Sequence, residues 1–400
     1  MISVKDAFET ILNHVTVLPY ETCVLGKATS RTLRHPVSTD HDLPPYNRIM
    51  MDGIAARSEA FIGGDQVRLK IIGLQSAGSL RKELTNTFDC FEVATGAVLP
   101  LGADVVIPVE EISISENYAT VSEAFKLTPG RYIHRKGSDR SKGEVLLPEG
   151  IRLGAKEIAV AASCGYNELK VAACPSVAII STGDELVDID KVPMPHQIRR
   201  SNSHSLAAAL LSSGLGIPNL SHFVDDASKV RDGLLHVLQT AQIITLCGGV
   251  SKGRLDHLPR ALEAVGVIKH FHWVAQRPGK PFLFGTGPSG QPVFALPGNP
   301  LSALTCFHRY VIPALEKMAG RKHKLIMKLP LQEPYSFKPQ LTNFLPIQIN
   351  NGFLGSEVKP HPAGNSGDFA GILNTDGFIE LPAEGTDYRK GLTLPFWPWL

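Results

Sequence analysis

The sequence predicts a multidomain chain of α/β and β parts. It has a central, doubly wound, mainly parallel α/β domain, an N-terminal mixed region with an inserted β-rich domain, and a small C-terminal β domain. Three observations predict it. With 400 residues, 43% of them hydrophobic and 20% charged, the chain is too long for one ordinary core and has the balance of a soluble globular protein. From Pro175 to about residue 320, apolar strands alternate with helical patterns, which implies right-handed βαβ crossovers and helices on both faces of a sheet. On either side the pattern reverts to short strands punctuated by Pro and Gly. The expected divisions are 1–45 plus 127–173 for the mixed domain, 46–126 for the inserted β-rich domain, 174–320 for the α/β domain and 321–400 for the C-terminal one.

In order, residues 3–16 predict an amphipathic helix capped by Ser3, with Val4, Phe8, Ile11, Leu12 and Val15 on one face. A second helix is expected from about Gly26 to Leu33. The run 42–53 is Pro-rich and ends in an Asp52–Gly53 turn signal; Ile54 to about Lys126 is strand-rich. Residues 131–139 are locally basic, read residue by residue as a solvated face, and Glu157–Ala162 is expected to be helical. In the α/β region, strands are expected at Ser176–Ile180, Leu220–Val224, Ile243–Cys247, Val267–Trp273, Phe282–Gly285 and Val293–Leu296. The helices between them are a run capped by Asn202 or Ser203 and stopping at Gly214, then Asp226 to about Thr240, and His257–Val265. After the last strand, Pro297–Gly298 turns the chain, Asn299 is a good cap, and Pro300 suits the first helical position. Leu301, Leu304, Val311 and Leu315 then share a face.

The net charge of +2 argues against bulk nucleic-acid binding. The six cysteines are scattered with no CxxC and no metal-finger spacing, as expected of reduced thiols, mostly in the core. Lys5, Asp6 and Glu9 interrupt the N-terminal apolar residues, so no secretory signal is expected, and no apolar run reaches the ~18–20 residues of a membrane span. The cytoplasm is the expected compartment.

Three loops leave strand ends in the α/β region: 181–186 (Ser–Thr–Gly–Asp–Glu–Leu), 248–253 (Gly–Gly–Val–Ser–Lys–Gly) and 296–300 (Leu–Pro–Gly–Asn–Pro). Ligands of open α/β sheets bind outside the carboxyl ends of the strands, so these loops can converge. Glycines and small hydroxyls admit phosphate oxygens to backbone amides, a helix start favours anions, and Asp184, Glu185 and Asp256 can hold a divalent cation against the phosphates. Arg277 and Lys280 add fixed positive charge nearby. Together these features argue for a phosphorylated ligand with a hard metal ion. His270 and His272 alternate with Phe271 and Trp273, and ordinary packing or surface roles account for them better than metal ligation.

The ordered set 181–186, Gly248–Gly249–Val250–Ser251, Pro278–Gly279–Lys280–Pro281 and 296–300 resembles the molybdopterin molybdenumtransferases, the MoeA-like proteins of molybdenum cofactor synthesis. So do Leu43–Pro44–Pro45 with Met51–Asp52–Gly53, Thr95–Gly96 with Gly102–Ala103–Asp104, Lys136–Gly137–Ser138–Asp139, and Ser366. The resemblance spans essentially the whole chain. It implies a MoaB/Mog-like α/β domain and a homodimer with a shared active site. The implied reaction takes adenylated molybdopterin and molybdate, inserts the metal and releases AMP with Mg2+ present. By the resemblance, Thr182, Asp184, Glu185, Asn202, Gly249, Ser251, Asp256, Lys280, Pro297 and Pro300 line the pterin-phosphate and metal crevice. Gly183, Gly248, Gly298 and Asn299 belong to the same loops, and Asp52, Thr95 and Asp139 arrive from the partner subunit. Other cofactor-synthesis proteins are further expected partners; nucleic acid and membrane are not.

Two stretches depart from the family pattern. Tyr46–Asn47–Arg48–Ile49–Met50 stands where Phe–Asp–Asn–Ser–Ala is usual, and Ser251–Lys252–Gly253–Arg254 where Ser–Val–Gly–Asp is usual. Added cations near the phosphates favour anion binding and weaken a metal site. The expected function is therefore Mg2+-dependent molybdenum insertion, with a non-catalytic pterin- or nucleotide-binding carrier or scaffold as the alternative. Molybdopterin adenylylation would leave the long N-terminal region without a role.

Overall fold

The computed structural model describes residues 1–62, 67–250, 258–322, 326–352, 355–362, 364–365, 367–368 and 370–399. It divides into two compact units, one of Met1–His35, Glu149–Ala159 and Asn167–Leu400, the other of Pro36–Pro148 and Val160–Tyr166.

The first unit is built on a six-stranded sheet. Its elements in chain order are β1 (Ser176–Thr182), α1 (Asn202–Ser213), β2 (Ile217–Phe223), α2 (Ala227–Thr240), β3 (Ile243–Cys247), α3 (Leu258–Ala264), β4 (Ile268–His272), β5 (Leu283–Thr286), β6 (Pro292–Leu296), α4 (Pro300–Cys306), a π-helical turn (Phe307–Val311) and α5 (Ile312–Met318). The strand order is β2-β1-β3-β6-β5-β4, with the first four parallel and the last two antiparallel additions. Alternate residues of β1 feed opposite faces: Val177 and Ile179 join a core with α1, α4 and α5, while Ala178 and Ile180 join one with α2 and α3. The N-terminal helix Val4–Asn13, capped by Ser3 through the Asp6 N–H at 3.1 Å, buries Val4, Ala7 and Ile11 in the first of these cores.

The helical stretch after β6 differs from its expected one-faced burial, because every residue from Leu301 to Leu315 is buried. Its π turn lies just before Pro313, which has no N–H to give and whose ring crowds the carbonyl four residues back. The expected helix over Gly26–Leu33 is not formed. Only Leu25–Lys27 makes a 3₁₀ turn, Ser30 takes a φ of 67°, and Thr32 and Leu33 form bridges with Arg152 and Val171. A Gly and several hydroxyl residues, which compete for backbone partners, disfavour a helix there. The helix expected from His257 is α3; His257 itself lies outside the described residues.

The C-terminal strands Lys328–Pro330, Thr342–Gly352, Gly377–Leu381 and Thr393–Pro398 form an antiparallel sheet over a core of Leu345, Ile347, Val358, Ile379 and Phe396. Two ties join it to the α/β part. Gln276–Arg277 adds in parallel to Thr342–Asn343, and buried Arg309 of the π turn meets Glu380 at 2.8 Å. The Arg309 guanidinium also lies 4.6 Å from the rings of both Phe8 and Trp397. The second unit carries its own six-stranded sheet, ordered Val105–Pro108, Gly53–Ala56, Asp89–Val93, Arg68–Gln75, Tyr118–Val121, Ile112–Ser115. Its inner face buries Ile54, Leu69, Val105 and Ile107.

Two outcomes are expected. Removing one partner of a buried ion pair strands the other, so Arg309→Ala should lower stability by about 3 kcal/mol in urea denaturation. His308, in the same turn, has its pKa pushed down to about 4 by burial. Between the unfolded value of 6.5 and about 4 the unfolded chain binds the proton and the folded chain does not, so stability falls as pH drops through that window. The loss from this group approaches about 3 kcal/mol at the low end, and His308→Gln should flatten that part of the stability–pH curve.

Candidate active site

The carboxyl ends of β2, β1, β3 and β6 lie side by side, and the turns leaving them are joined by specific contacts. β3 exits through Gly248, whose N–H donates to the Leu296 carbonyl at 3.1 Å and whose φ is +104°. A Cβ on Gly248 would stand 2.9 Å from both the carbonyl and the hydroxyl oxygen of Thr182, so glycine is what lets the two turns touch. Thr182 Oγ1 donates to the Cys247 carbonyl at 3.4 Å from a buried position. Gly298 lies against Gly248, and Asn202 Nδ2 donates to the Gly298 carbonyl at 2.7 Å. Pro297 is buried, Asn299 is the residue before α4, and Pro300 is at its first turn. Gly183 is buried, and Gly249 helps line a small cleft with Thr182, Asp225, Asp226 and Leu258.

The structure thus brings together Thr182, Gly183, Asn202, Gly248, Gly249, Pro297, Gly298, Asn299 and Pro300. The expected side-chain cap of α1 is absent. The residue before the helix is Ser201, whose side chain makes no capping bond, because the helix begins one residue early and Asn202 spends its amide on Gly298. An uncapped first turn leaves backbone donors unpaired. Two buried hydroxyls nearby in sequence, Ser181 Oγ and Ser203 Oγ, are each 1% exposed and have no hydrogen-bond partner among the described residues. Buried hydroxyls are normally paired, so these two are suited to a bound ligand.

Asp184 and Glu185 are exposed at the mouth. Asp184 Oδ1 accepts the Asp225 N–H at 3.0 Å, and no other partner of its carboxylate is found among the described residues. The sequence did not point to Asp225, since its contribution is a main-chain N–H in the turn before α2. Hard carboxylate oxygens facing solvent beside these turns suit Mg2+, which takes one or two carboxylates plus substrate phosphates. Among the described residues no group of three or more His, Cys, Asp or Glu forms a ready-made metal cage. Asp256, the third expected metal ligand, lies outside the described residues, as do Ser251 and Ser366. Lys280 and Arg277 project from a loop that packs at Gly279 against Cys306 and Ser302 of α4, and both side chains are exposed. Among the described residues neither makes an ion pair. His270 bonds Thr286 Oγ1 at 3.0 Å and His272 the Val250 carbonyl at 2.9 Å.

The second unit presents the remaining expected residues. Asp52 accepts both the backbone N–H and the hydroxyl of Thr95, at 2.6 and 2.8 Å, which holds its carboxyl below the usual range. Asp139 lies 2.7 Å from His134 Nε2, and His134 Nδ1 lies 3.0 Å from Arg48 Nη2. Arginine only donates, so Nδ1 accepts and Nε2 carries the proton given to Asp139. The altered stretch is therefore built into this frame: Asn47 Oδ1 accepts the Lys136 N–H at 2.9 Å, the Tyr46 hydroxyl donates to the Gly96 carbonyl at 3.2 Å, and Ile49 is buried.

Known proteins match the chain over essentially its whole length. Three family models match consecutive parts of the chain: MoeA N-terminal region (domain I and II) over residues 2–165, probable molybdopterin binding domain over 178–317, and MoeA C-terminal region (domain IV) over 328–399. A molybdopterin molybdenumtransferase of Synechocystis is 35% identical over the full length of both chains. One of Staphylococcus aureus is 30% identical, covering 98% of this chain and 94% of its own. Among solved structures, the molybdopterin biosynthesis MoeA protein of Pyrococcus horikoshii superposes with a TM-score of 0.84 at 26% identity, covering all of both chains. The chain belongs to the molybdopterin molybdenumtransferase (MoeA) family.

Proposed function

We propose that this chain inserts molybdate into adenylated molybdopterin and releases AMP, with Mg2+, as a homodimer whose active site is shared between subunits. One observation carries the reading: four parallel strand ends converge on a cradle of glycine turns, an uncapped helix start and unpaired buried hydroxyls, with exposed carboxylates at its mouth. Phosphoanhydride cleavage needs positioning and charge neutralisation more than a nucleophilic side chain. The first turn of α1 and Ser203 supply donors for phosphate oxygens, and Asn202 holds the 296–300 turn in place. Asp184 and Glu185, with Asp256, would hold Mg2+, which when bound neutralises phosphate charge. Molybdate, the substrate dianion, is met by Lys280 and Arg277, exposed cations that form no ion pair among the described residues. Asp52, Thr95 and Asp139 come from the partner subunit. The cytoplasm is the compartment that fits; no described helix is long and apolar enough to cross a membrane.

A non-catalytic carrier is the second reading, prompted by residues 46–50. The anchoring of Asn47 and Arg48 within their own frame, with Asp52 still bound to Thr95, supports turnover instead.

Purified protein given adenylated molybdopterin should release AMP only when molybdate and Mg2+ are both added; binding without release would establish the carrier. Asp184→Asn should cut that release at least about 10-fold and raise the Mg2+ needed for half-maximal rate, with an unchanged melting temperature. An unaltered Mg2+ response would place the metal elsewhere. If the site is shared, randomly mixed dimers of inactive Asp52→Asn and Asp184→Asn chains should recover about a quarter of wild-type activity, because half the dimers are mixed and each has one intact site. No recovery would put both residues in one subunit's site.

A further inference from the structure

The loop that carries Arg277 and Lys280 rests on a polar group buried in the middle of the core. Gln276, Cys306 and Tyr310 are each 0% exposed. The Tyr310 hydroxyl, on the π turn, donates to Gln276 Oε1. That bond fixes which way the amide faces, so that Nε2 donates to the Gly279 carbonyl at 2.9 Å and to Cys306 Sγ at 3.3 Å. Gly279 has a φ of +89°, and a Cβ there would collide with Cys306 Sγ and stand 2.9 Å from Gln276 Nε2. The base of the loop is closed separately, by the Lys280 carbonyl accepting the N–H groups of Val274 and Phe282, each at 3.0 Å.

An amide, a phenol and a thiol in a core otherwise filled by Phe282, Phe307 and Val311 must be fully satisfied or they destabilise it. A plain apolar core would serve stability as well; this one orients Gln276 so that it donates to the Gly279 carbonyl, in the turn between two exposed cations. Burial keeps the phenol well above its usual pKa, so it remains a donor at neutral pH. The π turn gives Tyr310 its register on the inner side of the helix, above Gln276.

We infer that Gln276 and Tyr310 are positioning residues for the oxyanion substrate: they hold the Arg277–Lys280 turn so that its two cations stand at a fixed place beside α4. This rests on the reading that these cations meet molybdate, and the test separates the two ideas. Tyr310→Phe keeps the ring and removes the hydroxyl. It should raise the KM for molybdate about 10-fold with kcat changed little, and speed hydrogen exchange of the peptide spanning 274–283 while the strands of the sheet stay protected. Gln276→Met, which keeps length and removes both polar ends, should shift KM in the same direction. Lys280→Ala is measured alongside. If Lys280→Ala raises the molybdate KM and Tyr310→Phe alters neither KM nor exchange, the positioning role is overturned. If Lys280→Ala leaves that KM unchanged, the oxyanion reading of the loop fails, and the positioning role for this substrate fails with it. A fall in melting temperature alone, with KM unmoved, would mark the pair as structural only.

Discussion

In-register parallel pairing of four strands is the constraint on which the site depends. Thr182 lies opposite Phe223, Ser181 opposite Cys247, and Cys247 opposite Leu296, so all four strands stop at nearly the same level. A slip of two residues in any one pair would withdraw its turn from the rest, and a slip of one would turn its apolar residues to the wrong face. The helices on both faces lock the register by burying alternate residues of the same strands. The cradle thus follows from strand pairing, and its small residues are what that crowding permits.

Much of the α/β region was legible because buried parallel strands read as unbroken apolar runs and their helices as periodic ones. The turns 181–186 and 296–300 showed through glycine, proline and small polar residues. What sequence could not show were contacts made by main-chain atoms or across long separations. The Asp225 N–H on Asp184 carries no side-chain signature. Gln276 and Tyr310 lie 34 positions apart, and neither belongs to a local motif. The helix expected at 26–33 gave way to bridges of Thr32 with Arg152 and Leu33 with Val171, partners 120 or more positions onward.

The side chains of the stretch 46–50 are tied into the structure around them. An amide at Asn47 still accepts a main-chain N–H, and a cation at Arg48 is absorbed by His134, which in turn faces Asp139. Ile49 is taken into the core. Beyond the stretch, Asp52 and Thr95 keep their mutual bonds. The altered residues thus bear on the surroundings of Asp139 more than on Asp52.

Arg309 has a consequence for how the chain is made. Its guanidinium touches Phe8, Glu380 and Trp397, so one side chain gathers residues far apart in the chain. During synthesis the contacts around Arg309 become complete only once the strand Thr393–Pro398 has been made. The buried face of the N-terminal helix, Val4, Ala7 and Ile11, instead packs in the α/β core that is made earlier. The strand Thr393–Pro398, through Trp397, is the element that completes this contact.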